Sequence, residues 1–174
     1  YRELCSWQLP RVGVLHQRQD QESPGRLAEI LVSRMLPRML KDTAMLIQAR
    51  KAVLANGDWL TAAEVAQLAG LSTRNPSAQP NKWKRQGQIF TIYHGGVNYF
   101  LGYGLDCATG FRPVKALARV IDTFAEYKDG WGMAYWLHSV NSFLGGNRPQ
   151  DLLATTPERV IEAALDEVQE VAHG

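Results

Sequence analysis

Apolar residues recur at helical spacing from Arg26 to about Ala55, through Leu27, Ile30, Leu31, Met35, Met39, Leu46, Ile47 and Leu54. Pro37 falls inside this stretch. A proline lacks the N–H that an interior turn needs, and its ring crowds the carbonyl four residues back, so the pattern predicts two helices in tandem or one bent helix. Asn56-Gly57 supplies the stop, because Gly, and Asn less readily, adopts the left-handed conformation that ends a helix. Residues 1–25 alternate polar residues with Pro10, Gly13, Pro24 and Gly25, show no sustained period and read as an irregular arm.

The stretch from Asp58 to Ser72 is more informative. Thr61 followed by Glu64 fits a capping box, and Val65, Leu68 and Ala69 form an apolar face that ends at Gly70. A polar and basic segment follows, with Trp83 as its buried anchor and Lys82, Lys84 and Arg85 directed elsewhere. A short helix, a glycine turn and a second, basic helix make a helix-turn-helix pattern. Pro76 and Pro80 cannot both sit in one regular helix, so the second helix is expected to start at Pro80, with residues 72–79 as a loop. Directly afterwards, Ile89–Tyr93 and Val97–Leu101 flank His94-Gly95-Gly96, and β-branched and aromatic runs around a Gly-rich turn predict a hairpin. A hairpin in that position is the wing of a winged helix.

From Pro113 to Tyr127, Val114, Leu117, Ala118, Ile121, Phe124 and Ala125 define another amphipathic helix. Residues 131–172 divide into a tryptophan-rich helix, a glycine turn, a short helix and a last helix that starts at Thr156-Pro157-Glu158. Val160, Ile161, Ala164, Leu165 and Val168 give its buried face, and Trp131, Tyr135 and Trp136 read as core. The predicted fold class is mainly α with a small β-hairpin: a winged helix-turn-helix plus a C-terminal helical bundle. Three regions follow: 1–57, an arm and helices that can serve dimerisation or pair within the chain; 58–105, the winged helix-turn-helix; and 106–174, a helical interaction domain.

The 174 residues suffice for one ordinary domain or two small ones, and 45% hydrophobic with 21% charged residues exclude global disorder and fibrous classes. Cys5 and Cys107 stand alone, which excludes a disulfide scaffold and a cysteine-rich zinc site. No apolar run is long enough to span a membrane and the start of the sequence lacks a signal-peptide core, so a cytoplasmic protein is expected. The net charge of +2 hides an asymmetry: residues 1–57 sum to +4, 58–105 to +2, 106–130 to zero and 131–174 to −4. A basic front can meet an anionic polymer; the acidic back cannot do so without repulsion.

These features set the candidate chemistry. Arg74, Lys82, Lys84 and Arg85 can neutralise phosphates, Ser72, Thr73, Asn75, Ser77, Gln79 and Asn81 are short polar groups able to reach base edges, and His94 lies in the wing turn. Double-stranded DNA is the expected partner. His16, His94, His138 and His173 have no metal-ligand spacing, Ser139 and Ser142 lack a nucleophile-elbow context, and the Gly-rich strings at 102–104 and 145–146 read as turns, so neither an enzyme nor a cofactor is expected. Glu158, Glu162, Asp166, Glu167 and Glu170 form either a solvated face or an acidic surface for a basic partner.

The segment WGMAYWLHSVNSFLGGNRPQDLL with TTPERVIEAALDEV resembles the toxin-binding domain of the Xre/MbcA/ParS antitoxin family. A tryptophan-containing helix there leads to a signature matched here by Asn141, Leu144, Gly145, Gly146, Pro149, Leu152 and Leu153. The front segment WLTAAEVAQLAG with KWKRQGQIFTIYHGGVNYF resembles the MerR-like winged helix often found before that domain. The resemblance implies an antitoxin that forms a homodimer, represses its own promoter and neutralises a protein toxin, often of the NAD-consuming RES-domain type. It places partner binding at Asn141, Leu144, Gly145, Gly146, Arg148 and Pro149. A protein-interaction adaptor with a vestigial helix-turn-helix and no DNA binding is the alternative.

Overall fold

One helix, α1, spans Pro24–Asn56 with Pro37 inside it, so the segment forms a single helix rather than two in tandem. The structure, a computed structural model, describes residues 24–56, 58–72 and 74–173, and most of the expected arm, with Thr73, lies outside the described residues. The chain divides into two compact units, Tyr1–Asp42 and Thr43–Gly174, with the boundary inside α1.

In the second unit, the indole N–H of Trp59 donates to the Val53 carbonyl at 3.0 Å, tying the end of α1 to the strand β1 (Trp59–Leu60). Helix α2 (Ala62–Leu68) begins on the expected capping box: the Glu64 amide donates to Thr61 Oγ1, and the Thr61 amide donates to Glu64 Oε2 at 2.7 Å. Val65, Ala66 and Ala69 are buried, while Leu68, expected on that inner face, lies on the outer side and is exposed. Helix α3 (Ala78–Arg85) starts two residues earlier than the prolines suggested. Pro80 is its third residue, where no intrahelical N–H bond is lost, and Pro76 falls in the preceding turn.

Strands β2 (Thr91–His94) and β3 (Val97–Leu101) form the expected hairpin. Gly95 and Gly96 have φ of 56° and 84°, as a two-residue turn matched to strand twist requires. Strand β1 pairs with the other side of β3, placing Trp59 opposite Leu101, so the sheet order is β1-β3-β2. The order of α2, α3 and hairpin is that of a winged helix-turn-helix.

A two-residue ribbon follows, β4 (Leu105–Asp106) with β5 (Arg112–Pro113), then α4 (Lys115–Phe124), α5 (Gly130–His138), α6 (Pro149–Leu152) and α7 (Pro157–His173). The molecule is mainly helical with a small antiparallel sheet. One apolar cluster runs from Val65 and Trp83 through Ile92 and Phe100 to Phe124, Leu144 and Val160, so packing is continuous across residue 105. Phe124 and Trp136 meet edge to face at 4.9 Å. Of the three aromatics read as core, Trp136 is buried and Trp131 half-buried, but Tyr135 is exposed. Leu165, expected on the inner face of α7, is also exposed, whereas Val160, Ile161 and Ala164 are buried. Arg119 of α4 bonds Glu158 at 2.9 Å and Lys128, just after α4, bonds Glu167 at 2.8 Å, fastening α7 to α4 and the turn that follows it.

Helix α5 starts against the wing sheet. Asp129 caps it by accepting from the Gly132 amide at 2.8 Å, and Gly130 lies so close to β2 that an added methyl would overlap the Thr91 carbonyl oxygen. We expect Gly130→Ala to destabilise the protein by about 1–3 kcal/mol in urea unfolding, because backbone must move to admit the methyl. Thr61→Ala is expected to cost about 1 kcal/mol through loss of the cap. The Thr61 backbone amide first, and its hydroxyl second, hold the Glu64 carboxyl below the ordinary glutamate range. The folded-state pKa is therefore depressed, so the cap contributes fully above the ordinary value and is lost as pH falls through the lowered one. Unfolding curves of wild type and Glu64→Gln should converge on acidification, because protonation then removes the same carboxylate that the substitution removes; a constant gap would refute this role.

Candidate nucleic-acid interface

Helix α3 is amphipathic in charge. Pro80 and Trp83, three residues apart, are buried, which turns Asn81, Lys82, Lys84 and Arg85 outward into solvent. The described residues contain three ion pairs, Arg119–Glu158, Lys128–Glu167 and Arg148–Asp151, and none engages the basic residues of α3 or Arg74. A basic face that makes no ion pair with the described residues is open to phosphates.

Arg112 fixes the orientation of this helix. Its guanidinium donates to the Ala69 carbonyl at the end of α2 at 3.0 Å, donates to the Gly110 carbonyl at 3.1 Å, and lies over the Trp83 ring at 5.7 Å. One side chain thus joins α2, α3 and the β4-β5 ribbon. The sequence concealed this role, since Arg112 is 43 positions from Ala69 and belongs to no local motif.

The loop before α3 carries the remaining predicted polar groups. Ser72, Arg74 and Asn75 are exposed, and Ser77 and Gln79 are half-buried. The Arg74 amide donates to Ser72 Oγ at 3.4 Å and the Ser77 hydroxyl to Asn75 Oδ1 at 3.2 Å, so part of this set is spent on shaping the loop. Gln79 lies within α3, where a loop was expected. Thr73 falls outside the described residues. On the wing, His94 is exposed beside the Gly95-Gly96 turn and its ring meets Trp131 edge-on at 6.3 Å. Lys84, Tyr93, Asn98 and Trp131 line one open cleft of about 410 Å³, which joins the basic helix to the wing. Tyr93, 63% exposed there, was not among the predicted contacts.

The second predicted site, around Asn141, is a closed turn. Asn141 and Asn147 form an isolated bridge, the Gly146 amide donates to the Asn141 carbonyl at 2.9 Å, and Asn141 Oδ1 accepts from the Leu144 amide. Gly145 and Gly146, with φ of 67° and 81°, face open space, so they are required by backbone conformation rather than crowding. Leu144 and Pro149 are buried and act as anchors, which removes them as direct contacts. Arg148 holds Asp151 through two bonds at 2.7 and 3.0 Å. The exposed apolar groups at this turn are Val140 and Phe143, which the signature does not mark; Arg159 donates to the Phe143 carbonyl at 3.3 Å.

Among the described residues no group of three or more His, Cys, Asp or Glu is placed to hold a metal ion, and no helix is long and apolar enough to cross a membrane. Comparison with protein-family models, with curated proteins and with solved structures gives no match.

Arg112→Ala is expected to cost about 1–2 kcal/mol, since charged hydrogen bonds and ring stacking disappear together. Arg112→Lys should recover less than half of that in denaturant unfolding, because an ammonium cannot hold two carbonyls and stack at once. Full recovery by Lys would reduce Arg112 to a simple positive charge.

Proposed function

We propose that this protein is a DNA-binding transcriptional regulator of antitoxin type, which acts in the cytoplasm, represses its own promoter and neutralises a partner toxin through its C-terminal helices. The observation that carries the DNA-binding reading is the exposed set Lys82, Lys84 and Arg85, which makes no ion pair among the described residues, on a helix anchored from behind by Pro80 and Trp83. Phosphate contacts fix a helix on the duplex, and Asn81 beside those cations is the residue best placed to read base edges. The wing turn with His94 offers a second backbone contact.

The toxin clause rests on the turn around Asn141. Its internal hydrogen bonds fix the backbone, and Val140 and Phe143 project beside it as apolar anchors. Preorganised apolar anchors on a rigid turn suit a protein partner, because little ordering entropy is lost on docking. The resemblance to the Xre/MbcA/ParS domain suggests a RES-domain toxin for that role. An adaptor without DNA activity would use the same turn while leaving α3 idle.

The test is binding of the full chain to its own upstream DNA and to an unrelated duplex at two salt concentrations. Preference for the upstream DNA, with affinity falling steeply in salt, is the expected result. Changing Lys82, Lys84 and Arg85 to Ala should lower the slope of log affinity against log salt by about 3, roughly one unit for each phosphate no longer neutralised. Equal binding to both duplexes, or none at low salt, would favour the adaptor. Val140→Glu with Phe143→Glu should abolish capture of the toxin without changing the DNA result.

A further inference from the structure

A cavity of about 390 Å³ opens on the Trp83 side of α3, where the chain passes from the β4-β5 ribbon into α4. Trp83, Pro113, Val114 and Ala118 make its apolar wall, and its polar lining is Arg112, Lys115 and the half-buried Gln88. Two cations thus border it and no acid does. Both hydrogen bonds of the Arg112 guanidinium run from Nη1, to the carbonyls of Ala69 and Gly110, which leaves Nε and Nη2 without a hydrogen-bond partner among the described residues. Asp106 stands opposite Arg112 on the ribbon, but its Oδ1 accepts from the Ala108 amide at 2.9 Å and it makes no ion pair with Arg112. Lys115 is exposed and makes no ion pair among the described residues, whereas Arg119, one turn further along α4, is held by Glu158.

We propose that this cavity binds a small organic carboxylate, an anion carried on a ring-sized apolar body. Nε–H and Nη2–H of a guanidinium form a planar fork that matches the two oxygens of a carboxylate, and Lys115 adds a point charge beside it. The wall of Trp83, Pro113, Val114 and Ala118 takes the apolar body out of water, and the volume lies in the range of small-molecule sites. A bare inorganic anion would satisfy the cations and leave that wall wet. The site uses none of the outward cations of α3 and does not rest on the DNA-binding reading. A carboxylate held by Nε and Nη2 leaves both Nη1 bonds in place and keeps the guanidinium over the Trp83 ring, so an occupied cavity braces α3 from behind.

The test is titration of the full chain with 2-naphthoate, 2-naphthamide and inorganic phosphate, followed by calorimetry and ligand-observed NMR. 2-Naphthoate is expected to bind with a Kd of about 1 mM or tighter. The amide lacks the charge and phosphate lacks the apolar body, so each should bind at least about tenfold more weakly. Lys115→Glu, which reverses the point charge, and Ala118→Leu, which fills the wall, should each weaken 2-naphthoate by about tenfold or more. Lys115→Gln should fall between wild type and Lys115→Glu. These variants leave Arg112 and its structural bonds intact, and circular dichroism melts of the unliganded proteins check their folding. Saturating 2-naphthoate should also slow hydrogen exchange at the Gln86 and Gln88 amides, which close the end of α3 on the carbonyls of Lys82 and Trp83. Absence of 2-naphthoate binding overturns the proposal, as does phosphate binding equally well. Binding indifferent to both Lys115→Glu and Ala118→Leu, or unchanged exchange at the end of α3, overturns it too.

Discussion

The close approach of Gly130 to the carbonyl of Thr91 is the constraint on which the main unit depends. It sets α5 directly against the wing strand, which lets Phe90, Ile92 and Met133 belong to the same apolar cluster as Phe124 and Trp136. A side chain at position 130 would hold the C-terminal helices off the sheet and open a void where dispersion attraction now acts. Because the core is shared, the winged helix and the C-terminal helices are not separable modules joined by a linker. A disturbance on one side reaches the other through packed side chains.

That arrangement also explains how α3 can spend its outer face on charge. An eight-residue helix with four outward polar residues contributes little burial of its own. It is held by Trp83 and Pro80 from beneath and by Arg112 across the Trp83 ring and the end of α2. With the orientation fixed from behind, the helix does not need Lys82, Lys84 and Arg85 to hold its place. The N-terminal half of α1 differs in also exposing large apolar residues, Leu31, Met35 and Leu36 among them, to which solvent gives no stabilisation.

Much of this architecture was legible in the sequence wherever one local pattern dominates. The Thr61/Glu64 box, the Gly95-Gly96 turn and the Pro157 start are each fixed by residues within one turn, and each appears where those residues place it. Boundaries moved where two local rules competed. Pro80 looks like a barrier in the sequence, yet the first turn of α3 accommodates it because no amide bond is lost there. The β1 strand was invisible because two residues carry no period, and only β3 recruits them. Arg112 and the Val140–Phe143 pair escaped sequence reading for a common reason: their roles depend on what lies next to them in space, across tens of residues or around a turn. In the signature turn, the most regular sequence features, Leu144 and Pro149, proved to be anchors. The exposed residues beside them are less regular, because surface positions are not constrained by the backbone they decorate.

The charge asymmetry along the chain takes on a different meaning in three dimensions. The sequence sums suggest an acidic C-terminal segment available to a basic partner. In the structure three of those acids are already engaged: Asp151 with Arg148 beside it, and Glu158 with Arg119 and Glu167 with Lys128, whose partners come from the electrically neutral segment around α4. The last two pairs fasten α7 to α4 and to the turn that follows it, and the three together shrink the free acidic surface to Glu162, Glu170 and the half-buried Asp166. The exposed Arg119–Glu158 pair contributes little stability, but each pair neutralises a carboxylate locally. The consequence is a winged-helix face with three closely spaced cations on one short helix, in a chain whose net charge is close to zero. Local compensation rather than overall composition decides which face can attract an anionic polymer.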